Sequence, residues 1–198
     1  MFLFTIFFVH SGQWHRSSSL HGELTDDGHI FTKTIVRPKK RASPLSSLCM
    51  LLESVLRSGR QHRYIYTINS GVIGPADGVG FVFDKRIVRS NIQNMRSIFL
   101  NSHGQVCKRN RDQISKVASD FPPLTVGCRI QLCIDLDHAQ ARFDYFAPQA
   151  GSHAGDLNPQ RTSVSLGFDD LLQLEDGSRL QTGFFCVVVT NYIQISLY

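Results

Sequence analysis

Apolar and polar residues alternate along much of this chain with the period of β-strands. The clearest case is Arg129–Phe146. Ile130, Leu132, Ile134 and Leu136 share one parity, and Arg129, Gln131, Asp135 and Asp137 share the other. Ala141, Phe143 and Tyr145 then alternate with Arg142 and Asp144. A period of two sends successive side chains to opposite faces, so each arm reads as a half-buried strand. Closing the arms with Leu136 opposite Ala141 brings Ile134 to Phe143, Leu132 to Tyr145 and Asp135 to Arg142. A one-residue slip would expose one arm's apolar set, so the register is expected to be strongly specified. The connection is then the four-residue loop Asp137–Gln140, with Asp137 in the favoured first turn position.

Further strands follow from the same pattern. Ile30–Val36 comes after the turn Asp26-Asp27-Gly28, and Tyr64–Asn69 precedes a loop at Ser70–Gly78. Val79–Asp84 is almost wholly apolar, which places it centrally in a sheet. Ile98–Leu100 and Gln105–Lys108 flank the turn Asn101-Ser-His-Gly104. Phe184–Val189 and Tyr192–Leu197 are expected to pair as a hairpin around Thr190-Asn191, with Val189 opposite Tyr192. Helical periodicity occurs at Leu48, Leu51, Leu52, Val55 and Leu56, after the cap Ser43-Pro44 and before Gly59. It predicts one amphipathic helix near residues 44–58 that covers the sheet. A short helix is expected near 168–174, opened by Asp169-Asp170. Strands in succession with little helix predict a mainly β fold, an antiparallel two-sheet β-sandwich.

Length and composition keep this picture simple. A chain of 198 residues, 42% hydrophobic and 19% charged, suits one globular domain. The expected division is a partly disordered N-terminal segment, 1–22, and a single domain, 23–198. Phe2–Val9 is apolar at seven of eight positions but too short to span a bilayer, and no basic residue precedes it. It reads as a strand or an imprecise chain start, with a degraded signal peptide as the alternative. The five cysteines are odd in number and form no CxxC pair, which points to a reduced, intracellular protein, cytoplasmic or nuclear, without zinc. A formal charge of +5 permits weak attraction to anions without marking a nucleic-acid binder. The run Arg37-Pro-Lys-Lys-Arg41 has the composition of a nuclear-import motif and also that of a solvated loop.

No reaction centre emerges. The Gly71–Gly80 loop has four glycines, but no Gly-Lys-Ser/Thr follows it, and it enters a strand rather than a helix N-terminus. Asp135, Asp137 and His138 form the one metal-like cluster, yet the hairpin register sets Arg142 against Asp135 and favours a cross-strand ion pair. The eight histidines are scattered, and no Gly-x-Ser-x-Gly elbow is present. No catalytic residue, metal ligand or cofactor is assigned.

Several segments resemble a known family. YIYTI at Tyr64–Ile68, GVGFVFD at Gly78–Asp84, RSIFLNSHGQVCKR at Arg96–Arg109 and GFFCVVV at Gly183–Val189 are similar to strands of SPRY-type, concanavalin-like domains. The closest match is TVGCRIQLCIDLDHAQARFDYF at Thr125–Phe146, and the similarity covers roughly residues 62–198. Cys128 stands where the family has Asp, no Tyr-Val-Asn-Gly turn follows Phe143, and Ile87–Met95 is an insertion. The resemblance implies a bent two-sheet sandwich without enzymatic activity that binds a protein or peptide through loops at one end. By position these loops are Ser70–Asp77, Asn101–Gly104, Asp137–Gln140 and Ala147–Gln160. Asp77, Asn101, His103, Asp137, His138 and Gln140 are their candidate binding residues. The alternative is a carbohydrate-binding, lectin-like sandwich with calcium at Asp135 and Asp137; a single Trp weighs against it.

Overall fold

The structure, a computed structural model, describes residues 13–14, 22–34, 47–50, 61–83, 95–117, 119–148 and 161–198. Two antiparallel sheets pack face to face. One has seven strands in the order β1-β2-β13-β4-β9-β10-β11: Gly22–Thr25, Ile30–Lys33, Ile193–Leu197, Gln61–Gly71, Arg129–Asp135, Gln140–Phe146 and Arg161–Gly167. The other has six, β3-β12-β5-β6-β7-β8: Ser47–Met50, Phe184–Val189, Gly78–Phe83, Arg96–Asn101, Val106–Asn110 and Gln113–Val117. The helix α1, Asp169–Leu172, opens with two acidic residues and buries Leu171 and Leu172.

Alternation accounts for the core. Tyr64, Tyr66 and Ile68 from β4 and Ile130, Leu132 and Ile134 from β9 turn inward. Phe81 and Phe185 meet them from the facing sheet, and the Tyr64 and Phe185 rings lie 4.6 Å apart, edge to face. Tyr66 donates its hydroxyl across the sandwich to the Gly80 carbonyl (3.4 Å). Glycine is required at 80, because a Cβ would run into the Ile98 carbonyl and the Phe99 ring. Trp14 is also in the core. Its indole donates to the His29 carbonyl (3.1 Å), and its ring packs on Phe31 and Tyr66.

β5 is central, as its apolar run predicts, and it is buried on both faces. Val82 and its neighbours Phe184 and Cys186 belong to a second apolar cluster with Met95, on the opposite face of the six-stranded sheet from Phe81 and Phe185. The turn at Asn101–Gly104 joins β6 and β7 as expected.

Three expectations are corrected. The β9–β10 hairpin exists, but its register differs by two residues: Asp135 faces Gln140, Ile134 faces Ala141 and Leu132 faces Phe143. A two-residue shift keeps every side chain on its expected face, so the alternation alone did not separate the two registers. Turn chemistry decides between them. The four-residue loop is Leu136–Ala139, with Ala139 in the left-handed region (φ 50°), and Asp135 rather than Asp137 caps it. Arg142 accordingly faces Cys133, and its ion pair is with Asp144 (3.2 Å), not Asp135.

The second correction concerns β12 and β13, which form no hairpin. β12 is apolar on both faces, so it lies between β3 and β5 while β13 crosses to the other sheet between β2 and β4. The third concerns the amphipathic helix near 44–58. Residues 47–50 are a strand, because the edge of β12 offers Leu48, Cys49 and Met50 a ladder opposite Val188, Val187 and Cys186. Tertiary pairing overrides the local helical period there. Residues 51–58, Phe2–Val9, Arg37–Arg41 and 149–160 lie outside the described residues. Among the described residues, no helix is long and apolar enough to cross a membrane.

Candidate functional site

The expected binding loops sort to the two ends of the sandwich. β4 runs from Gln61, opposite Asp135, to Gly71 at the far end. At about 3.3 Å per residue its length separates the Leu136–Ala139 tip from the 72–77 loop by roughly 30 Å. Asn101 pairs with Gly78, so the Asn101–Gly104 turn lies beside the 72–77 loop. The structure therefore brings Asp77, Asn101 and His103 together. Asp137, His138 and Gln140 lie at the opposite end, where the Ala139 carbonyl accepts from the Phe168 amide ahead of α1.

At the first end, Asp77 is the organising residue. Its side chain is buried and accepts from the Gly74 amide, the Thr190 amide and the Thr190 hydroxyl, each at 2.6 Å. Burial pushes its pKa up, against the lowering by these hydrogen bonds and by the positive charge of Lys33. Lys33 is itself buried, and its ammonium donates to the Val189 carbonyl (2.8 Å). One carboxylate thus fastens the 72–77 loop to the β12–β13 crossover.

The neighbouring turn is tied to the same frame. Ser102 donates its amide to the Asp77 carbonyl (2.8 Å) and its hydroxyl to the Pro75 carbonyl (3.0 Å). The Asn101 side-chain oxygen accepts from the amides of His103 (3.0 Å) and Gln105 (2.9 Å). Gly104 has φ +78°, and a Cβ there would strike the Phe121 carbonyl, so the turn needs glycine. The Ser102 carbonyl accepts from the Leu124 amide (2.9 Å), which draws in the chain before β9.

What this braced end presents to solvent is apolar as well as polar. Val72, Tyr192 and Val126 are 63%, 58% and 44% exposed. The Val72 amide donates to the Tyr192 carbonyl (2.8 Å), which sets those residues side by side. The Gly127 amide donates to the Ile68 carbonyl (2.7 Å), placing Val126 across β4. His103 is exposed nearby. Sequence reasoning missed Val72, Val126 and Tyr192, and it assigned Thr190 to a hairpin turn. The apolar exposure of Tyr192 follows only from the crossover, which the local pattern does not encode.

The opposite end is organised by Asp135. Its carboxylate accepts from the amides of Asp137 (3.1 Å) and His138 (3.0 Å) and contacts His138 Nδ1 (2.9 Å). Partial burial raises the Asp135 pKa, but the bonds from His138 and Gln61 outweigh it and leave the group below its ordinary value. The Asp135 hydrogen bond and charge push His138 up. Asp135 is engaged as a turn cap, and among the described residues no group of three His, Cys, Asp or Glu is placed to hold a metal.

No family model matches the chain, and no curated protein sequence matches it. Solved structures do. The TRIM65 PSpry domain superposes with a TM-score of 0.58 over 96% of this chain and 92% of that domain, at 9% identity. The fold is a SPRY-type, concanavalin-like β-sandwich. The human HERC1 SPRY domain gives 0.52 at 12% identity, covering 88% of this chain and 90% of that one. The winged bean acidic lectin, solved with methyl-α-D-galactose, gives 0.52 at 11% identity over 96% and 91%. SPRY and lectin structures share this architecture, so the fold is decided and the ligand has to be argued from the loops.

Proposed function

We propose that this SPRY-type domain is a non-enzymatic recognition module of the intracellular space. It binds a protein or peptide through the end built from residues 72–77, 101–105, 124–127 and 190–192. The carrying observation is the set of exposed apolar side chains, Val72, Tyr192 and Val126, on loops braced by the buried Asp77. Aromatic and aliphatic groups on a rigid scaffold bury area on binding with little loss of conformational freedom. Asn101 and His103 supply the adjacent polar contacts. Free thiols at Cys107, Cys128, Cys133 and Cys186 suit a reducing compartment.

The lectin-like alternative rests on Tyr192, an exposed aromatic able to stack on a sugar ring. The test is a peptide array and a glycan array probed with wild type, Tyr192→Ala and the double variant Asn101→Ala, His103→Ala. The protein-recognition reading expects peptide signals that fall about tenfold or more in Tyr192→Ala, as for a central aromatic contact. Peptide binding unchanged by both variants would remove this end from consideration. Glycan signals lost in Tyr192→Ala would establish the alternative.

A further inference from the structure

The outer face of the seven-stranded sheet carries a second arrangement. β9, β10 and β11 turn Arg129, Arg142 and Arg161 to this face, on the parity opposite Ile130, Phe143 and Leu166. In the middle lies Asp144, fully buried. Its Oδ1 accepts from the Ser163 hydroxyl (2.6 Å). Its Oδ2 accepts from Gln131 (2.8 Å) and meets Arg161 Nη2 (2.9 Å) and Arg142 Nε (3.2 Å). Two guanidinium groups are thus gathered on one oxygen, while each arginine side chain remains 47% exposed. Arg161 and Arg129 also share the ring of Phe146, at 5.8 and 5.5 Å from its centroid.

We infer that this face is a docking surface for an acidic segment of another protein, recognised by Arg129, Arg142 and Arg161. Two cations meet a single carboxylate, a third lies on the adjoining Phe146 ring, and that carboxylate already has acceptor contacts on both oxygens. A guanidinium has five N–H donors in a planar fork, and the contact with Asp144 employs only some of them. The outward donors of Arg142 and Arg161, held in place from beneath, match side-chain carboxylates or phosphoryl groups presented bidentately. Nucleic acid fits less well. Phe146, the aromatic ring within this cluster, is half-buried and already engaged by Arg129 and Arg161, so it offers no free platform for a base. The surface lies on the outer face of the seven-stranded sheet and adjoins the loop end only at Arg129, which pairs with Thr67 of β4.

The experiment is fluorescence anisotropy of the full chain with a labelled glutamate-rich peptide and its phosphoserine counterpart, with labelled oligo(dT) as the nucleic-acid arm. Arg129→Glu reverses one charge without touching Asp144, and Arg129→Gln is the milder companion if the first folds poorly. Arg161→Lys keeps a cation beside Asp144 and removes the fork. Arg129→Glu is expected to weaken peptide binding about tenfold or more, and Arg161→Lys severalfold, with all binding weaker at higher salt. Lys116→Glu, on β8 of the other sheet, should stay within about twofold of wild type. Three results would overturn the inference: no saturable binding by wild type, equal weakening by Lys116→Glu, or tighter binding of oligo(dT) than of either peptide.

Discussion

Replacing Asp77 with alanine withdraws one carboxylate from three donors at once: the Gly74 amide, the Thr190 amide and the Thr190 hydroxyl, each at 2.6 Å. Hydrogen bonds to a charged group contribute about 1.5–3 kcal/mol each. The sum overstates the loss, because burial opposes the carboxylate and lifts its pKa despite all three bonds. Water can also reach donors at a loop end. Against this, Lys33 loses a favourable charge interaction while remaining buried. We therefore expect Asp77→Ala to destabilise the fold by about 3–4 kcal/mol, a large share of a typical domain's 5–15 kcal/mol. Thr190→Val deletes the hydroxyl alone and should cost about 1.5 kcal/mol, the low end for a bond to a charged group. Urea unfolding followed by Trp14 fluorescence measures both. An Asp77→Ala loss below about 1 kcal/mol, no larger than that of one neutral hydrogen bond, would refute the fastening role. The pH dependence has a definite sign. The folded-state pKa is raised, so the folded chain holds this proton more tightly than the unfolded one. The Asp77 contribution therefore falls as pH rises from the ordinary value near 3.9 through the raised one. Wild type should gain stability relative to Asp77→Asn as pH is lowered across that window.

Two other outcomes are expected. Trp14→Ala should destabilise by about 3–5 kcal/mol in the same denaturation assay, with ellipticity as the signal, because it empties a buried indole site between Phe31 and Tyr66; retention of full stability would mean the indole is not in the core. In an NMR titration, His138 should titrate above the ordinary value near 6.5 and return toward it in Asp135→Asn. The pair's contribution is full below that ordinary value and is lost as pH rises through the folded one.

Much of the fold was legible in residue parity, and what was not legible has identifiable causes. Parity decided which faces of β9 and β10 are buried. It left open a two-residue shift, which the Asp135 turn cap and the left-handed Ala139 settle. It failed for Gln113–Val117 and Arg161–Gly167, edge strands of largely exposed residues that show little contrast between faces. Adjacency misled at β12–β13, where both strands look apolar and the short link suggests a hairpin. A strand buried on both faces needs partners on each edge, and β12 takes β3 and β5 instead. Asp77, Asn101 and His103 were brought to one end by the pairing of Gly78 with Asn101. Sequence position alone groups Asp137, His138 and Gln140 with them, because it does not reveal the end of a sandwich to which a loop returns. Tyr192 was hidden by the hairpin assignment.

The crossover also sets a timetable for synthesis. β13 lies between β2 and β4, and Gln194 meets Thr32 across 162 positions of chain. A ribosome delivers β1, β2 and β4 long before the strand that joins them. Until then the nascent sheet exists in two halves, each with an open edge ready to pair with the wrong chain. Assembly of this sheet therefore waits on β13, and the interval before β13 emerges is when a chaperone would be most useful.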